Sequence, residues 1–440
     1  MNRRDFLGMM AAAPALGQSS AQPNIIVILA DDLGIGDVSC FGAKDIRTPN
    51  LDKLAADGVR FANWHANSPV CSPSRASVLT GKYPQHAGIP EILFSRPDFD
   101  VPGLRKGETT IATELKKRGY RTAAVGKWHL GSAPASKPRA QGFDEFFGFY
   151  SGWTDYYSHR YYTLGGQPLF HDLWRNDEEV WEEPAYQTEL LAREAKAFIQ
   201  KQRSPYFLYL AFGAPHYPMM APKRYIDRLP ATMDRDRRMH AAVVEALDDA
   251  IGSVLSAAKG DTIVFFQSDN GGTRELRADH RGREYFGSSN GIYRASKGSL
   301  FEGGTRVPAM LRWPGKVPGG QVSETVCMGM DIAPTLLRAS TGFDGIDLMQ
   351  HLMTKTPYPE RTVFWEYKDQ TCARREQWKL VVDPNEGLGK PTIPGVMLFD
   401  VVADPSEKNN LAASQPAIVQ RLTEELKAWK ARGYKQVAKT

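Results

Sequence analysis

The sequence of 440 residues lacks several features that would each assign it to a class of proteins. Four cysteines are too few for a disulfide framework in a chain of this length. No apolar run is long enough to span a bilayer, which predicts no membrane span. The net charge of +5 is not concentrated in a long Lys/Arg run, so nothing indicates nucleic-acid binding. Internal repeats and low-complexity linkers are absent, and 42% of the residues are hydrophobic, so the sequence predicts a globular protein with a large core.

The first 22 residues are typical of an export signal. Arg3 and Arg4 precede an apolar, Ala-rich stretch at residues 8–16, and small residues at 17–21 offer cleavage sites. The paired arginines resemble a bacterial twin-arginine signal, which exports folded proteins. We therefore expect the twin-arginine export machinery to deliver the protein to the periplasm or the exterior. A Sec signal or a plain N-terminal helix is the alternative interpretation.

Buried strands alternate with amphipathic helices over most of the chain. Continuous apolar runs at residues 24–30, 122–125, 206–212 and 262–267 are typical of strands buried on both faces. Helical patterns separate these runs, which indicates an α/β fold. For residues 23–348 we predict a large, mixed, mostly parallel sheet flanked by helices. Residues 349–440 are predicted to form a smaller subdomain, an antiparallel sheet with a packed helix.

Polar side chains follow each of the four predicted strands. Ligands of α/β sheets bind outside the carboxyl ends of the strands, so we expect these side chains to meet at one hydrolytic site. Taken singly, each has an ordinary interpretation as a turn residue, a solvated lysine or a packed loop histidine. In strand order, the residues are Asp31 and Asp32, then Lys127 and His129, then His216, then Asp269 and Asn270.

Four of these side chains offer only oxygen atoms as ligands. Asp31, Asp32, Asp269 and Asn270 suit a hard cation such as Ca²⁺ or Mg²⁺ better than Zn²⁺, which prefers nitrogen and sulfur. Three carboxylates close together would repel one another unless a cation lay among them. The sequence therefore predicts a metal site at this edge of the sheet.

Residues 71–75 read CSPSR, and Leu-Thr-Gly follows at 79–81. Ser and Pro favour a helix that begins here, and Gly81 would end it. The start of a helix favours a bound anion, and Arg75, one turn on, can reach the same space. Taken alone, Cys71 is equally well interpreted as a buried structural thiol.

The stretch from Pro69 to Gly81 resembles the maturation motif of the type I sulfatases, C-x-P-x-R-x-x-x-L/T-G. These enzymes belong to the alkaline phosphatase superfamily. Further segments resemble the family, so the resemblance covers nearly the whole chain after residue 23. They are residues 119–129, 214–216, 268–271, 297–308, 378–380, 398–400 and 404–405.

The resemblance implies that a maturase oxidises Cys71 to Cα-formylglycine, an aldehyde. Its hydrate carries two hydroxyl groups on one carbon. One attacks sulfur, and the other lets residue 71 release sulfate without water having to attack sulfur. The resemblance also implies that Ca²⁺, rather than Mg²⁺, is bound by modified Cys71 together with Asp31, Asp32, Asp269 and Asn270.

The resemblance implies roles for the remaining polar residues as well. Arg75 and Lys127 would hold the formylglycine, and His129 would act as the base. His216 and Lys297 would contact the sulfate and protonate the leaving alcohol. Ser151 is a further candidate for a substrate contact.

The substrate and two competing functions stay open at this stage. An aromatic-rich insert, whose segment at residues 155–159 resembles N-acetylgalactosamine-sulfatases, predicts a carbohydrate exosulfatase of the arylsulfatase type; packing in the core is the alternative interpretation. A phosphodiesterase or phosphonate monoester hydrolase of the same superfamily is the main competing function, and a non-catalytic glycan-binding homologue is the other. The aromatic residues of the insert are Trp153, Tyr156, Tyr157, His159 and Trp174.

Overall fold

A computed structural model of the protein describes residues 22–162, 168–203, 205–275 and 283–432. The predicted export signal lies outside the described residues except for its last position. Within the described ranges, no helix has both the length and the apolar character that crossing a membrane requires.

A ten-stranded mixed sheet and a four-stranded antiparallel sheet dominate the fold. The strands are β1 (Asn24–Ala30), β2 (Val59–Phe61), β3 (Trp64–His65), β4 (Arg121–Lys127), β5 (Glu145–Phe149), β6 (Arg160–Tyr162), β7 (Pro168–His171), β8 (Trp174–Arg175), β9 (Glu178–Glu179), β10 (Tyr206–Ala211), β11 (Thr262–Ser268), β12 (Ala309–Arg312), β13 (Gln321–Ser323), β14 (Cys327–Met328), β15 (Thr362–Tyr367), β16 (Gln370–Arg375), β17 (Trp378–Val382) and β18 (Val396–Asp400). The helices are α1 (Pro49–Ala56), α2 (Cys71–Thr80), α3 (Pro84–Ala87), α4 (Ile111–Lys117), α5 (Gln187–Lys201), α6 (Lys223–Ile226), α7 (Arg235–Ala257), α8 (Glu302–Thr305), α9 (Ile332–Leu337), α10 (Met349–Thr354) and α11 (Pro416–Ala431).

The large sheet runs in the order β13-β2-β12-β11-β1-β10-β4-β5-β8-β9. Its central strands, from β11 to β5, are parallel to one another. Antiparallel pairs lie toward both edges, where β12 joins β11 and β8 joins β5. The four predicted apolar runs are the four strands β1, β4, β10 and β11 at the centre of the sheet. The predicted fold class is therefore confirmed.

Helices cover both faces of the large sheet. Successive residues of a strand point to opposite faces, and in β1 both sets are buried. Val27 packs in the core on the side of α2, α4 and α9, whereas Ile28 packs on the side of α5 and α7. This two-sided burial explains why the central strands are apolar at every position.

The four-stranded sheet β15-β16-β17-β18 has its own core. Leu422, Leu426 and Trp429 of α11 pack in this core with residues from all four strands. The order of an antiparallel sheet followed by a packed helix agrees with the predicted C-terminal architecture. The division of the chain at residues 348 and 349 stays a prediction, since Met349 and Leu352 of α10 pack in the core of the large sheet.

Candidate active site

The carboxyl ends of β1, β4, β10 and β11 lie side by side at the centre of the large sheet. Asp31 and Asp32 follow β1, Lys127 is the last residue of β4, and Asp269 follows β11. All four side chains are buried. The sheet therefore brings together the groups whose convergence the sequence predicted.

Each of three carboxylates at this site contacts a positively charged side chain. The buried side chains are almost unscreened by water, so these contacts are strong. The three pairs join Lys127 Nζ to Asp31 Oδ2 at 2.6 Å, Lys297 Nζ to Asp32 Oδ2 at 2.9 Å and Arg75 Nη2 to Asp269 Oδ2 at 2.7 Å.

Cys71 is the first residue of α2, and its Sγ lies 3.5 Å from Asp31 Oδ1. The helix begins where Ser74 exchanges hydrogen bonds with the backbone of Ser68. It ends at Gly81, whose φ of +67° places it in the left-handed region that glycine adopts most readily. Every residue of α2 is buried, so the cysteine lies inside the protein.

Two residues of the site have an unusual backbone conformation. Asp32 has a φ of 64° and His129 a φ of 56°, in a region that is uncommon for residues other than glycine. Such conformations cost free energy and cluster at functional sites. Asp32 lies two residues after the end of β1, and His129 lies two residues after the end of β4.

Burial and neighbouring charges shift the pKa values of the carboxylates in different directions. Burial raises the pKa of Asp31 to about 7, although Lys127 opposes the shift. Burial likewise raises the pKa of Asp32. Burial also disfavours ionisation of Asp269, but Arg75, Lys127 and Lys297 outweigh it and hold its pKa below the usual value. Asp269 is therefore the carboxylate most firmly held in its charged form.

Within the described ranges, His129 is a neutral imidazole with one unpaired ring nitrogen. Burial, followed by the charges of Lys127 and Arg75, holds the pKa of His129 well below its usual value, so the imidazole is neutral at pH 7. His129 Nε2 lies 2.7 Å from the carbonyl oxygen of Leu93, which can only accept, so Nε2 carries the hydrogen. The other nitrogen, Nδ1, is buried and has no hydrogen-bond partner among the described residues. Its lone pair is available to accept a proton.

His216 and Lys297 lie in contact on one side of the site. Burial lowers the pKa of Lys297, but Asp32 outweighs it and the pKa stands well above its usual value. Lys297 Nζ lies 3.2 Å from His216 Nε2, and His216 Nδ1 lies 2.7 Å from the carbonyl oxygen of Tyr217. In the neutral imidazole Nδ1 therefore donates to the carbonyl and Nε2 accepts from the ammonium.

Four side chains of the site lie close enough together to hold a metal ion. Ligand atoms of Asp31, Asp32, Cys71 and His216 all lie within 4.8 Å of one another. Asn270 donates from Nδ2 to Asp32 Oδ1 at 2.7 Å, and its Oδ1 is buried without a hydrogen-bond partner among the described residues. A buried amide oxygen without a partner is unfavourable, and coordination of a cation would satisfy it.

The structure adds contacts that the sequence did not predict. Glu275 lies 3.3 Å from Lys297 Nζ, and no motif signalled it. Asp172, which follows β7, accepts hydrogen bonds from the backbone of Tyr150 and Ser151 and thereby holds the segment beside His129.

Ser151 is buried, and its hydroxyl donates to the carbonyl oxygen of Trp153 at 3.1 Å. Its contact with substrate stays a prediction.

Comparison with known proteins places this geometry in a family. Residues 23–342 match the family model described as Sulfatase. Arylsulfatase J of Mus musculus is 31% identical, over 92% of this chain and 75% of that protein. N-acetylgalactosamine-6-sulfatase of Homo sapiens is 34% identical, over 81% of this chain and 71% of that protein. The crystal structure of Ps i-CgsB in complex with k-i-k-neocarrahexaose is 31% identical, with a TM-score of 0.82 over 95% of this chain and 94% of that one.

The family match covers more than half of the chain, and the relatives match along most of their own length. The architecture agrees with that of the solved relative over nearly the whole chain. The protein thus belongs to the sulfatase family, as a type I sulfatase of the alkaline phosphatase superfamily that hydrolyses sulfate esters.

Proposed function

We propose that this sulfatase releases inorganic sulfate from a sulfated carbohydrate, using a formylglycine made from Cys71 and a Ca²⁺ ion. The observation that carries the proposal is the position of Cys71 at the start of α2, 3.5 Å from Asp31 and within a ring of buried charges. Burial raises the pKa of the Cys71 thiol far above neutrality. An unmodified Cys71 would stay protonated and would be a poor nucleophile, which favours its conversion.

The residues proposed to hold the metal are Asp31, Asp32, Asp269, Asn270 and modified Cys71. Every proposed ligand comes from the protein, whereas Mg²⁺ usually keeps several water molecules, and this favours Ca²⁺. When bound, the ion supplies positive charge that polarises a sulfate oxygen and orients the nucleophile. The partnerless Oδ1 of Asn270 supports its inclusion among the ligands.

The side chains around residue 71 supply fixed charge and a proton acceptor. Arg75 bridges Asp31 and Asp269, and Lys127 contacts Asp31, so both hold positive charge beside residue 71 without reorganisation. His129 is neutral and presents a free Nδ1 lone pair, which suits it to remove a proton from a hydroxyl group at residue 71.

The pair of His216 and Lys297 is proposed to act on the departing alcohol. The Lys297 ammonium stays charged and can donate to a sulfate oxygen or to the leaving oxygen. His216 Nε2 accepts from Lys297 in the neutral imidazole and can protonate the alcohol only from the imidazolium form, in which both ring nitrogens carry hydrogen. Alcohols of sugars are poor leaving groups, so protonation matters more for them than for phenols.

The sugar part of the proposal is supported by one aromatic residue of the insert. The ring of Trp153 stacks on His216 with a centroid separation of 5.9 Å and an angle of 14° between planes. By contrast, Tyr156 and His159 are buried in the core and Tyr157 packs on Tyr186, so they pack internally as the alternative interpretation had it. One relative is named N-acetylgalactosamine-6-sulfatase, and another was crystallised with k-i-k-neocarrahexaose. Both favour a glycan substrate for this chain as well.

The modification of Cys71 is tested by mass spectrometry of protein that is co-expressed with a formylglycine-generating maturase. The tryptic peptide of residues 61–75 should lose the mass that corresponds to conversion of the thiol to an aldehyde. Cys71→Ala should abolish sulfate release. An unmodified thiol in protein that nevertheless releases sulfate, with a working maturase control, would contradict the formylglycine mechanism.

The substrate is tested with a panel of sulfated mono- and disaccharides beside aryl sulfate and an aryl phosphate diester. We expect turnover of at least one sugar sulfate, and Trp153→Ala should raise KM for it while the matched variant Tyr157→Ala does not. Turnover of aryl sulfate alone would refute the sugar proposal. Faster turnover of the phosphate diester would favour the phosphodiesterase alternative.

Export is proposed through the signal at residues 1–22. Replacement of Arg3 and Arg4 by lysine should retain the protein in the cytoplasm of a bacterial host that has a twin-arginine pathway. Unchanged delivery to the periplasm would favour a Sec signal.

A further inference from the structure

The segment of residues 297–302, here called the Lys297 loop, is held from both sides of the sequence. Lys297 N donates to the carbonyl oxygen of Gly272 at 3.1 Å and Gly298 N to that of Pro69 at 2.9 Å, and the C-terminal part of the chain supplies the other contacts. Leu388 N donates to the carbonyl oxygen of Lys297 at 2.9 Å. Gln370 Nε2 donates to the carbonyl oxygen of Gly298 at 2.9 Å, and Leu300 N donates to Gln370 Oε1 at 3.1 Å. The loop that carries one of the proposed catalytic side chains is therefore positioned in part by residues 70 to 90 positions later in the sequence.

Gln370 makes two of these contacts through one side chain. It is the first residue of β16 and is 2% exposed. Its amide bonds to the carbonyl of Gly298 and the N–H of Leu300, the backbone groups on either side of residue 299. Its Oε1 also accepts from Asn385 N at 3.3 Å, so the amide joins the Lys297 loop to a second loop. Loss of this side chain would leave buried backbone groups of Gly298 and Leu300 without partners.

The backbone next to Lys297 has little room to move. Gly298 has a φ of +91°, and a Cβ at this position would lie 2.5 Å from Leu388 Cγ. The loop therefore fits closely against the C-terminal residues. Lysine has a long side chain with many rotamers, so the position of its ammonium depends on how firmly its own backbone is held.

The far end of the Lys297 loop has an independent and stronger anchor. The carboxylate of Glu302 contacts Lys379 at 2.9 Å and Arg374 at 3.3 Å, and the backbone N of Glu302 donates to Glu407 Oε2 at 2.6 Å. Removal of Gln370 therefore frees the carbonyl of Gly298 and the N–H of Leu300, directly after Lys297, while the end at Glu302 and the bonds of the Lys297 backbone to Gly272 and Leu388 are kept.

We propose that Gln370 is a positioning residue for the hydrolysis of sulfate esters. Through the backbone of Gly298 and Leu300 it holds the Lys297 ammonium against Asp32 and His216, at 2.9 and 3.2 Å. This inference rests on the proposed function, in which Lys297 and His216 assist the departing alcohol. If that assistance is lost, the fall in kcat/KM becomes larger as the alcohol becomes a poorer leaving group. General damage to the fold lowers kcat/KM equally for all esters.

The test compares Gln370→Ala and Gln370→Met on a series of esters whose leaving alcohols range from acidic nitrophenols to sugar hydroxyls. Gln370→Met keeps the volume of the side chain and removes its hydrogen bonds, so it serves if the alanine variant folds poorly. We expect kcat/KM to fall by only a few-fold for nitrophenyl sulfate and by about 100-fold for a sugar sulfate, a loss typical of a displaced catalytic group. In the Lys297→Ala background, the same substitution should cause no further loss that depends on the leaving group.

Asn410→Ala is the matched control. Asn410 Oδ1 also bridges two backbone groups of the C-terminal subdomain, the N–H groups of Leu398 and Ala412, and it does not contact the Lys297 loop. This variant should show no dependence on the leaving group, whatever its loss of melting temperature. An equal loss for all esters in Gln370→Met, or wild-type rates on sugar sulfates, would overturn the proposal. Failure of the proposed function would look different, because the wild-type protein would then release sulfate from aryl esters but from no sugar sulfate in the series.

Discussion

A Cβ added to Gly152 would lie 2.9 Å from both Cε1 and Nε2 of His129. Nε2, one of these two atoms, makes the 2.7 Å hydrogen bond of the imidazole to the carbonyl of Leu93, so displacement of the ring would disturb that bond. Asp172 holds the neighbouring backbone through the N–H of Ser151 at 2.8 Å. The absence of a side chain at residue 152 thus helps to set the orientation of the proposed base.

Gly152→Ala should therefore impair catalysis more than folding. Extra atoms in a packed region typically cost about 1–3 kcal/mol of stability, and displacement of the imidazole should lower kcat by about 100-fold. Steady-state kinetics and thermal unfolding of the same preparation measure both effects.

Gly319→Ala is the control for crowding alone, because its Cβ would lie 2.9 Å from the carbonyl oxygen of Ala56, at the surface. Full activity in both variants would show that His129 tolerates the intrusion.

Burial of Cys71 predicts that maturation precedes folding. Only 2% of the residue is exposed, and the whole of α2 around it is buried. A maturase should convert Cys71 in a synthetic peptide of residues 61–81 and in the nascent or unfolded chain, and it should fail with folded, unmodified protein. Mass spectrometry after incubation with the maturase distinguishes these cases. Conversion of the folded protein as fast as of the peptide would require an opening that exposes α2.

Asn270→Ala should weaken stabilisation of the protein by Ca²⁺. A ligand that binds only the folded state adds about 2.7 kcal/mol at 100 times its Kd. Removal of the proposed amide ligand should raise the Kd and shrink the rise in melting temperature on adding Ca²⁺ to protein freed of metal by a chelator. Calorimetric titration and thermal unfolding are the measurements.

Asn290→Ala is the matched variant for this test, since Asn290 is also buried but bonds to the backbone of Gly272 through Oδ1 and Nδ2. Its melting temperature should fall while its response to Ca²⁺ is kept. An unchanged Kd in Asn270→Ala would remove this residue from the proposed ligands.

His65 should make stability depend on pH. Burial outweighs the opposing effect of Glu302 and, with smaller contributions from Arg374 and Arg306, lowers the pKa of His65 to about 4. His65 Nε2 lies 3.0 Å from Arg374 Nη1 and 3.2 Å from Glu302 Oε2. The unfolded chain, with a pKa near 6.5, therefore takes up a proton first as the pH falls. This contribution to stability is present above about pH 6.5 and is lost as the pH falls toward about 4.

His65→Asn should remove that part of the pH dependence. Over the interval from about pH 6.5 to 4, the free energy of unfolding of the wild-type protein should fall by about 3 kcal/mol more than that of the variant. Denaturant unfolding at several pH values gives the two slopes. Parallel slopes would mean that His65 is protonated equally easily in both states.

Much of the large sheet could be predicted from local patterns. Residues 24–30 form a strand with the predicted bounds, and the other three apolar runs differ from β4, β10 and β11 by one or two residues at their ends. Strands buried on both faces leave a continuous apolar run, which is an unambiguous signal. Short strands away from the centre of the sheet, such as β2 and β12, were not predicted, because three or four residues carry too little periodicity.

The aromatic insert shows where composition is insufficient. Trp153 and Tyr156 are close in sequence and similar in chemistry, yet Trp153 stacks on His216 while Tyr156 is buried against Tyr186. Whether an aromatic ring faces a site or a core depends on the path of the backbone. That path is set by contacts such as Asp172 with the backbone at 150 and 151, which no local pattern encodes.

The sequence by itself determined the chemistry that is available and the edge of the sheet where it would gather. Parallel strands end at a common edge, so residues that follow them must meet there. Only the tertiary structure decided which atoms contact each other: Lys127 with Asp31, Lys297 with Asp32 and His216, and Gln370 with the backbone beside Lys297. Distances between hydrogen-bonded atoms depend on packing between segments far apart in the chain, and the pattern of residues within any one segment carries no information about that packing.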